Sequence, residues 1–246
     1  MLRQRAIPDD LWRLTLARYP FVNWRTTDEL LALRRLATLF LARKEFSGAA
    51  GFEVSDEIAV AVAVQACLPV IHLGLDAYDG FVGVVMHADE VVARRQRTDD
   101  DGVVHEYDEP LAGEAMDGGP VMLSWQDVAQ AGESAQWGYN VVVHEFAHVL
   151  DMADGAADGM PPLPDRAARA AWAEVLAAGY QRLREALEAG QDTLLDPYAA
   201  ESIDEFFAVA SETFFVAPHD LIEEHPDLYR LLAGYYRQDP ARHAPG

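Results

Sequence analysis

Cysteine is almost absent from this chain: Cys67 is the only one in 246 residues. An intramolecular disulfide and a thiolate metal cluster are therefore both excluded. Cys67 itself sits inside AVAVQACLPV and reads as a small core residue. Lysine also occurs once, at Lys44, and 19 basic residues stand against 41 acidic ones for a formal net charge of -22. A surface of that sign repels phosphate backbones and anionic lipid headgroups, so no direct binding to nucleic acid or to a membrane is expected. Long apolar runs are missing too. The longest, IAVAVAVQACLPVIHLGL over 58–75, is broken by Gln65, Pro69 and His72 and reads as a core helix followed by a strand, not as a membrane span. The opening MLRQRAIPDDLWRL has charges and no apolar h-region, so no secretory signal is expected and the expected location is the cytoplasm.

Half of the residues are apolar, and aromatic and aliphatic side chains are spread along the chain, which suits one large folded domain. Its texture changes twice. Over 1–68 the pattern is helical: DELLALRRLATLFLARKEF repeats apolar residues at three and four, and SDEIAVAVAVQACL follows with Ser55 as a helix start. Over 69–128 it becomes strand-like, with PVIHLGL, GFVGVVMHADEVV, GVVHEYDE and GPVMLSW short, β-branched and punctuated by glycines or acidic turns. Over 138–236 it is helical again, interrupted by the turn-rich segment DGAADGMPPLPD. The expected fold class is α+β: one mostly helical domain spanning 1–246, with a small mixed or antiparallel sheet beside the helix that holds HEFAH.

VVVHEFAHVLDM carries the chemistry. On a helix, residues four apart share a face, with Cβ atoms about 5–6 Å apart, so His144 and His148 can reach one ion without straining the backbone. Glu145 is rotated away from that face, badly placed as a ligand but close enough to act on a metal-activated water. A chance match to this pattern is expected in roughly one such chain in twenty. The neighbours VVV, FA and VL, however, make the helix apolar nearly all round, so it belongs in the interior. Burying two histidines and a glutamate there is costly unless a cation relieves the cost.

A catalytic zinc takes three protein ligands and keeps one position open. Asp151, one turn after His148, is too short and too far along the axis to share the ion, and is expected instead to accept from a ligand imidazole N–H. The third ligand is expected in DPYAAESIDEFFAVASETFF, where Glu201, Glu205 and Glu212 are the candidates and spacing does not choose among them. Glu205 also reads as a capping-box partner of Ser202. Of the other histidines, His72 and His87 alternate with apolar residues and are expected in strands as core or cleft residues, while His105, His219, His225 and His243 are expected to be solvated.

The blocks GYNVVVHEFAHVLDMADGAADGMPPLP, DPYAAESIDEFFAVASETFF, FLARKEFSGAAGFEVSDEIAVAVAVQACLPVIHLGLDAYDGFVGVVMHADEVV and GEAMDGGPVMLSW together resemble the Mlc titration factor A family of bacterial zinc-dependent peptidases. The resemblance runs from about Pro20 to Tyr236; more distantly, the Tyr-to-Glu segment is similar to the catalytic domain of anthrax lethal factor. It implies a zincin-like fold and one Zn2+ per chain held by His144, His148 and Glu205. It further implies Glu145 as general base and Tyr198 beside the metal, its phenol donating to the oxyanion that forms when water attacks a carbonyl. The implied activity is aminopeptidase-like hydrolysis of small or unstructured peptides, and the implied partner is a glucose-responsive transcriptional repressor of the Mlc type. An extended peptide substrate is expected to pair along the edge of VMLSW. Two rival readings stand beside this one: an interaction protein that sequesters a repressor around a structural zinc, and a zinc hydrolase of non-peptide amides.

Overall fold

The computed structural model describes residues 6–89, 91–98 and 104–245; for 91–98 and 104–111 the description is limited to backbone pairing. Several helices start where the sequence offers caps. In α2 (Thr27–Arg43) Thr26 and Glu29 form a reciprocal capping box, and in α3 (Asp56–Cys67) the Ser55 hydroxyl accepts from the Ile58 amide. α1 (Asp9–Arg18) packs on α3, and α3 is buried along almost its whole length.

The chain between α2 and α3 is not helical, as the continuous pattern suggested, but contains a short strand β1 (Glu45–Gly48). β1 pairs in parallel with β2 (Gly83–His87), β2 in parallel with β6 (Val121–Ser124), and β6 antiparallel with β5 (Gly113–Ala115). The result is a small mixed sheet in the order β1-β2-β6-β5. Between β2 and β5 the chain makes a separate antiparallel hairpin of β3 (Val91–Thr98) and β4 (Val104–Leu111). PVIHLGL is not a strand: residues 69–73 form a series of turns, and a 3-10 turn follows over Leu75–Tyr78. Pro69, which denies the chain a ladder donor, and Gly74 at φ 89° account for the misreading. Trp125 ends the strand texture earlier than expected, since Ser124 caps α4 (Trp125–Ser134) through the Asp127 amide.

The C-terminal half is helical: α5 (Val141–Asp151), α6 (Arg166–Glu188), α7 (Ile203–Val216), α8 (Pro218–Glu224) and α9 (Pro226–Tyr236). α5 lies between the sheet and α7. Its apolar side is pinned by Phe146, whose ring meets Phe40, Tyr78 and Phe81 at centroid distances of 5.6, 5.0 and 5.4 Å. Burying a ring of this size in such a cluster contributes a few kcal/mol, so the axis of α5 is fixed by its greasy face while its other face is left to polar residues. α7 is buried from Phe206 to Val216. The α+β, mostly helical architecture with a mixed sheet beside α5 is thus as expected. Among the described residues no helix is long and apolar enough to cross a membrane.

Candidate metal centre

α5 begins at Asn140, whose side-chain oxygen accepts from the Val143 amide at 2.9 Å. One turn in, His144 and His148 project to the same side, with ring centroids 4.9 Å apart. From α7, the Ser202 hydroxyl caps the Glu205 amide, and the Glu205 carboxylate turns towards the histidines instead of back to the cap. His144 Nε2 lies 3.2 Å from His148 Nε2 and 3.0 Å from Glu205 Oε2, and His148 Nε2 lies 3.3 Å from that same oxygen. The three donor atoms form one cluster within 4.8 Å, the one such group among the described residues able to hold a metal ion. A tetrahedral ion with ligands at about 2.1 Å separates its ligand atoms by about 3.4 Å, which is close to this triangle. Two imidazole nitrogens facing each other at 3.2 Å also need either a proton or a cation between them. The donor set therefore fits a divalent metal.

The three glutamates that spacing left open separate cleanly. Glu205 faces the histidines. Glu212, two turns further along α7, accepts from His144 Nδ1 at 2.7 Å with one oxygen and from the Asn140 amide with the other. Glu201 is exposed. The Glu212 bond places the His144 proton on Nδ1 and leaves Nε2 free to bind a cation. Asn140 continues the chain, donating through Nδ2 to Gln65 Oε1 on α3 at 2.8 Å. A buried polar relay of Gln65, Asn140 and Glu212 thus fixes the orientation of His144. Sequence reasoning named Glu212 only as a possible ligand and missed Asn140 and Gln65; a lone glutamine inside the apolar run IAVAVAVQACL was the available signal.

Asp151 was expected beside a ligand imidazole. Its Oδ2 instead accepts from the Gly159 amide at 2.8 Å, in the loop after α5, and its Oδ1 is buried without a partner. Burial raises its carboxyl to about 6 against the pull of that amide. Tyr198, in a 3-10 turn before α7, donates from its hydroxyl to Glu205 Oε1 at 3.1 Å, and its ring lies 6.2 Å from that of His144. Glu145 is buried, and that burial lifts its carboxyl to about 7, although His144 and His148 oppose the rise. Burial alone would lower the His144 imidazolium and raise Glu205. The carboxylates of Glu212 and Glu205 overcome this on His144 and raise it, while the two histidines hold Glu205 well below the usual carboxylate range.

A cavity of about 150 Å³ opens onto these groups, walled on one side by Gly113, Glu114 and Ala115 of β5. Among the described residues β5 is one of the two edges of the sheet; β6, expected to offer its edge to a peptide, is paired on both sides and has none to offer. Gly113 leaves room for the Glu145 carboxylate, since a Cβ there would come to 2.5 Å from Glu145 Oε1. The remaining histidines lie apart from the cluster. His72 is exposed in a turn and pairs with Glu29, not in a strand. His87 ends β2 with a buried, unpartnered Nε2. His225 is half-buried rather than solvated, while His219 and His243 are exposed. The side chain of His105 lies outside the described residues.

Comparison with known proteins agrees with this geometry. The chain is 37% identical over 241 residues to an uncharacterized protein of Synechocystis, covering 97% of this chain and 87% of that one. It is 35% identical to Mlc titration factor A of Pectobacterium atrosepticum, covering 93% and 86%, and 34% identical to that of Escherichia coli, covering 96% and 88%. Residues 1–237 match the model of the glucose-regulated metallo-peptidase family M90. A cluster able to hold a metal ion on two packed helices and a match over nearly the whole length agree: the chain belongs to the M90 metallopeptidases.

Proposed function

We propose that the protein is a zinc-dependent peptidase that hydrolyses small or unstructured peptides, in the aminopeptidase-like manner the family resemblance implies. The observation that carries this is the convergence of two imidazole nitrogens and one carboxylate oxygen, at edges of 3.0 to 3.3 Å, beside a buried glutamate and under a sheet edge. Two nitrogens and one oxygen are a donor set of catalytic zinc sites, which take three protein ligands and leave room for water. When bound, zinc supplies Lewis acidity and lowers the pKa of water.

The residues then divide the work. His144, His148 and Glu205 hold the ion, and Glu212 keeps His144 in the tautomer that does so. β5 is available to pair with an extended peptide and lay its carbonyl over the cleft. Glu145, buried next to the two histidines and lining the same cleft, takes the proton from the attacking water and delivers it to the leaving amine. Tyr198 exchanges its bond to Glu205 for one to the oxyanion that develops on the substrate.

Three variants test this. His144→Ala and Glu205→Ala are expected to lose zinc, measured by metal analysis of the purified protein. Glu145→Gln is expected to keep zinc and lose at least a hundredfold in turnover. A Glu145→Gln protein that cleaves peptides as fast as the wild type overturns the mechanism. A structural zinc usually has four protein ligands, and three groups converge here among the described residues, which favours catalysis over the repressor-sequestering reading. A substrate screen with aminopeptidase, endopeptidase and non-peptide amide substrates, with chelator and zinc add-back, separates the peptidase from a hydrolase of other amides. The name of the relatives supports a transcriptional repressor of the Mlc type as a partner. Titration calorimetry with that repressor tests it.

A further inference from the structure

Beside the metal cleft lies a second cavity, of about 320 Å³, which the proposed mechanism does not use. The two share the side chain of Met152. The apolar part of its lining comes from Phe81, Met116, Val149, Met152, Ala153 and Pro162. The exposed carboxylates Asp79 and Asp117 also line it. Met116 is exposed at the mouth of this cavity, where the side chain of a ligand would cover it.

Its position relative to the cleft is set by two elements that both cavities share. Gly113, Glu114 and Ala115 of β5 line the metal cleft with His144, Glu145 and His148; Met116, Asp117 and Gly118 line the second cavity with Val149, Met152 and Ala153. The strand and its continuation therefore run alongside α5 in the same direction. Met152 is four residues beyond His148, about 6 Å along the axis, and an extended peptide advances about 3.3 Å per residue. The second cavity thus stands about two residues from the bond over the metal. Antiparallel pairing on β5, the more stable kind per residue, puts its occupant on the N-terminal side of that bond.

We propose that this cavity is a specificity pocket for a bulky apolar side chain, such as leucine or phenylalanine, two or three residues ahead of the scissile bond. The adjoining carboxylates exclude an acidic residue at the same position. The proposal rests on the peptidase reading and deepens it. Aminopeptidases place one residue ahead of the bond, whereas this pocket rewards a substrate with several, so internal bonds of unstructured chains are substrates too.

The test uses zinc-loaded full-length Glu145→Gln and fluorescein-labelled decapeptides of glycine, serine and alanine with a single leucine or glutamate moved along them. One position is expected to bind leucine about tenfold more tightly than alanine, and glutamate more weakly than alanine. Ala153→Trp, at an exposed position, fills the pocket; Met116→Glu independently charges its wall. Each is expected to reduce the leucine preference below about threefold. Wild-type digestion of the same peptides, read by mass spectrometry, is expected to place the leucine two or three residues ahead of the cut. No leucine preference, a preference unchanged in both variants, or one only behind the cut overturns the pocket. A leucine preference without any cleavage by zinc-loaded wild type overturns the peptidase reading and leaves the pocket standing.

Discussion

At position 113 a side chain of one hydrogen atom lets the β5 backbone lie against the Glu145 carboxylate. A methyl group there would meet Glu145 Oε1 at 2.5 Å and Cγ at 2.6 Å. The glutamate is the softer party, so Gly113→Ala is expected to leave the fold intact and push the carboxylate out of line. Misplacing a catalytic group by about 1 Å costs on the order of a hundredfold in rate. Metal analysis alongside peptide turnover checks this: zinc content is expected to stay at wild-type level while kcat falls by ten- to a hundredfold. Equal loss of zinc and activity would mean that Gly113 matters to the proposed ligands and not to the proposed base. Glu212 acts at the same scale through a different atom. Replacing it with glutamine keeps an oxygen near His144 Nδ1 but removes the charge that raises His144 and orients it. Partners of this kind typically contribute 10- to 100-fold to metal affinity. Glu212→Gln is therefore expected to weaken zinc binding about tenfold in a chelator competition.

The loop from α5 to α6 shows what an element needs beyond its own pattern. Gly159, at φ +73°, donates its amide to Asp151, accepts from Trp172 Nε1 of α6 through its carbonyl, and would set a Cβ 2.6 Å from the Ile203 carbonyl. The loop is thus tied to α5, α6 and α7 at once. Asp151, held at about 6 in the fold against an ordinary 3.8, binds its proton more tightly folded than unfolded. Its ionisation therefore costs stability: nothing below about pH 4, and the full cost, at most about 3 kcal/mol, above about pH 6. Asp151→Asn keeps an acceptor for Gly159 and removes the charge. Urea unfolding of the metal-free protein is expected to show the variant gaining on the wild type between pH 4 and pH 7; a difference that is flat with pH would disprove the assignment. The sequence was informative about α5, because HEFAH within VVV and VL gives both the buried face and the paired donors. It was equally informative about α2 and α3, whose caps are local. It misled where long-range pairing decides the outcome. EFSG becomes β1 because β2 lies beside it, and VMLSW lost its edge because β5, three residues long and with a glycine, carries too little pattern to be seen. The choice among Glu201, Glu205 and Glu212 likewise needed the packing of α7 on α5, which no spacing within α7 encodes.

Over the whole molecule the formal charge is -22, and among the described residues a cluster of buried ionisable groups lies where α5 meets α7. Glu145, Glu205 and Glu212 sit there with two histidines and no lysine or arginine among them. Without a cation the folded chain meets this repulsion with protons shared among the imidazoles and carboxylates. With one, the donors from the two helices are bound to a common centre, and unfolding must release it. Any ligand that binds only the folded chain adds about 2.7 kcal/mol at one hundred times its dissociation constant. For a chain of this length each kcal/mol moves the melting temperature by about 2 to 4 °C, so saturating zinc is expected to raise it by roughly 5 to 10 °C over the chelated protein. Magnesium, which favours oxygen ligands in octahedral geometry, is expected to do little. The decisive comparison is calorimetry on His148→Ala. If the zinc-induced rise survives loss of that imidazole, the ion is binding to the acidic surface at large and not between α5 and α7.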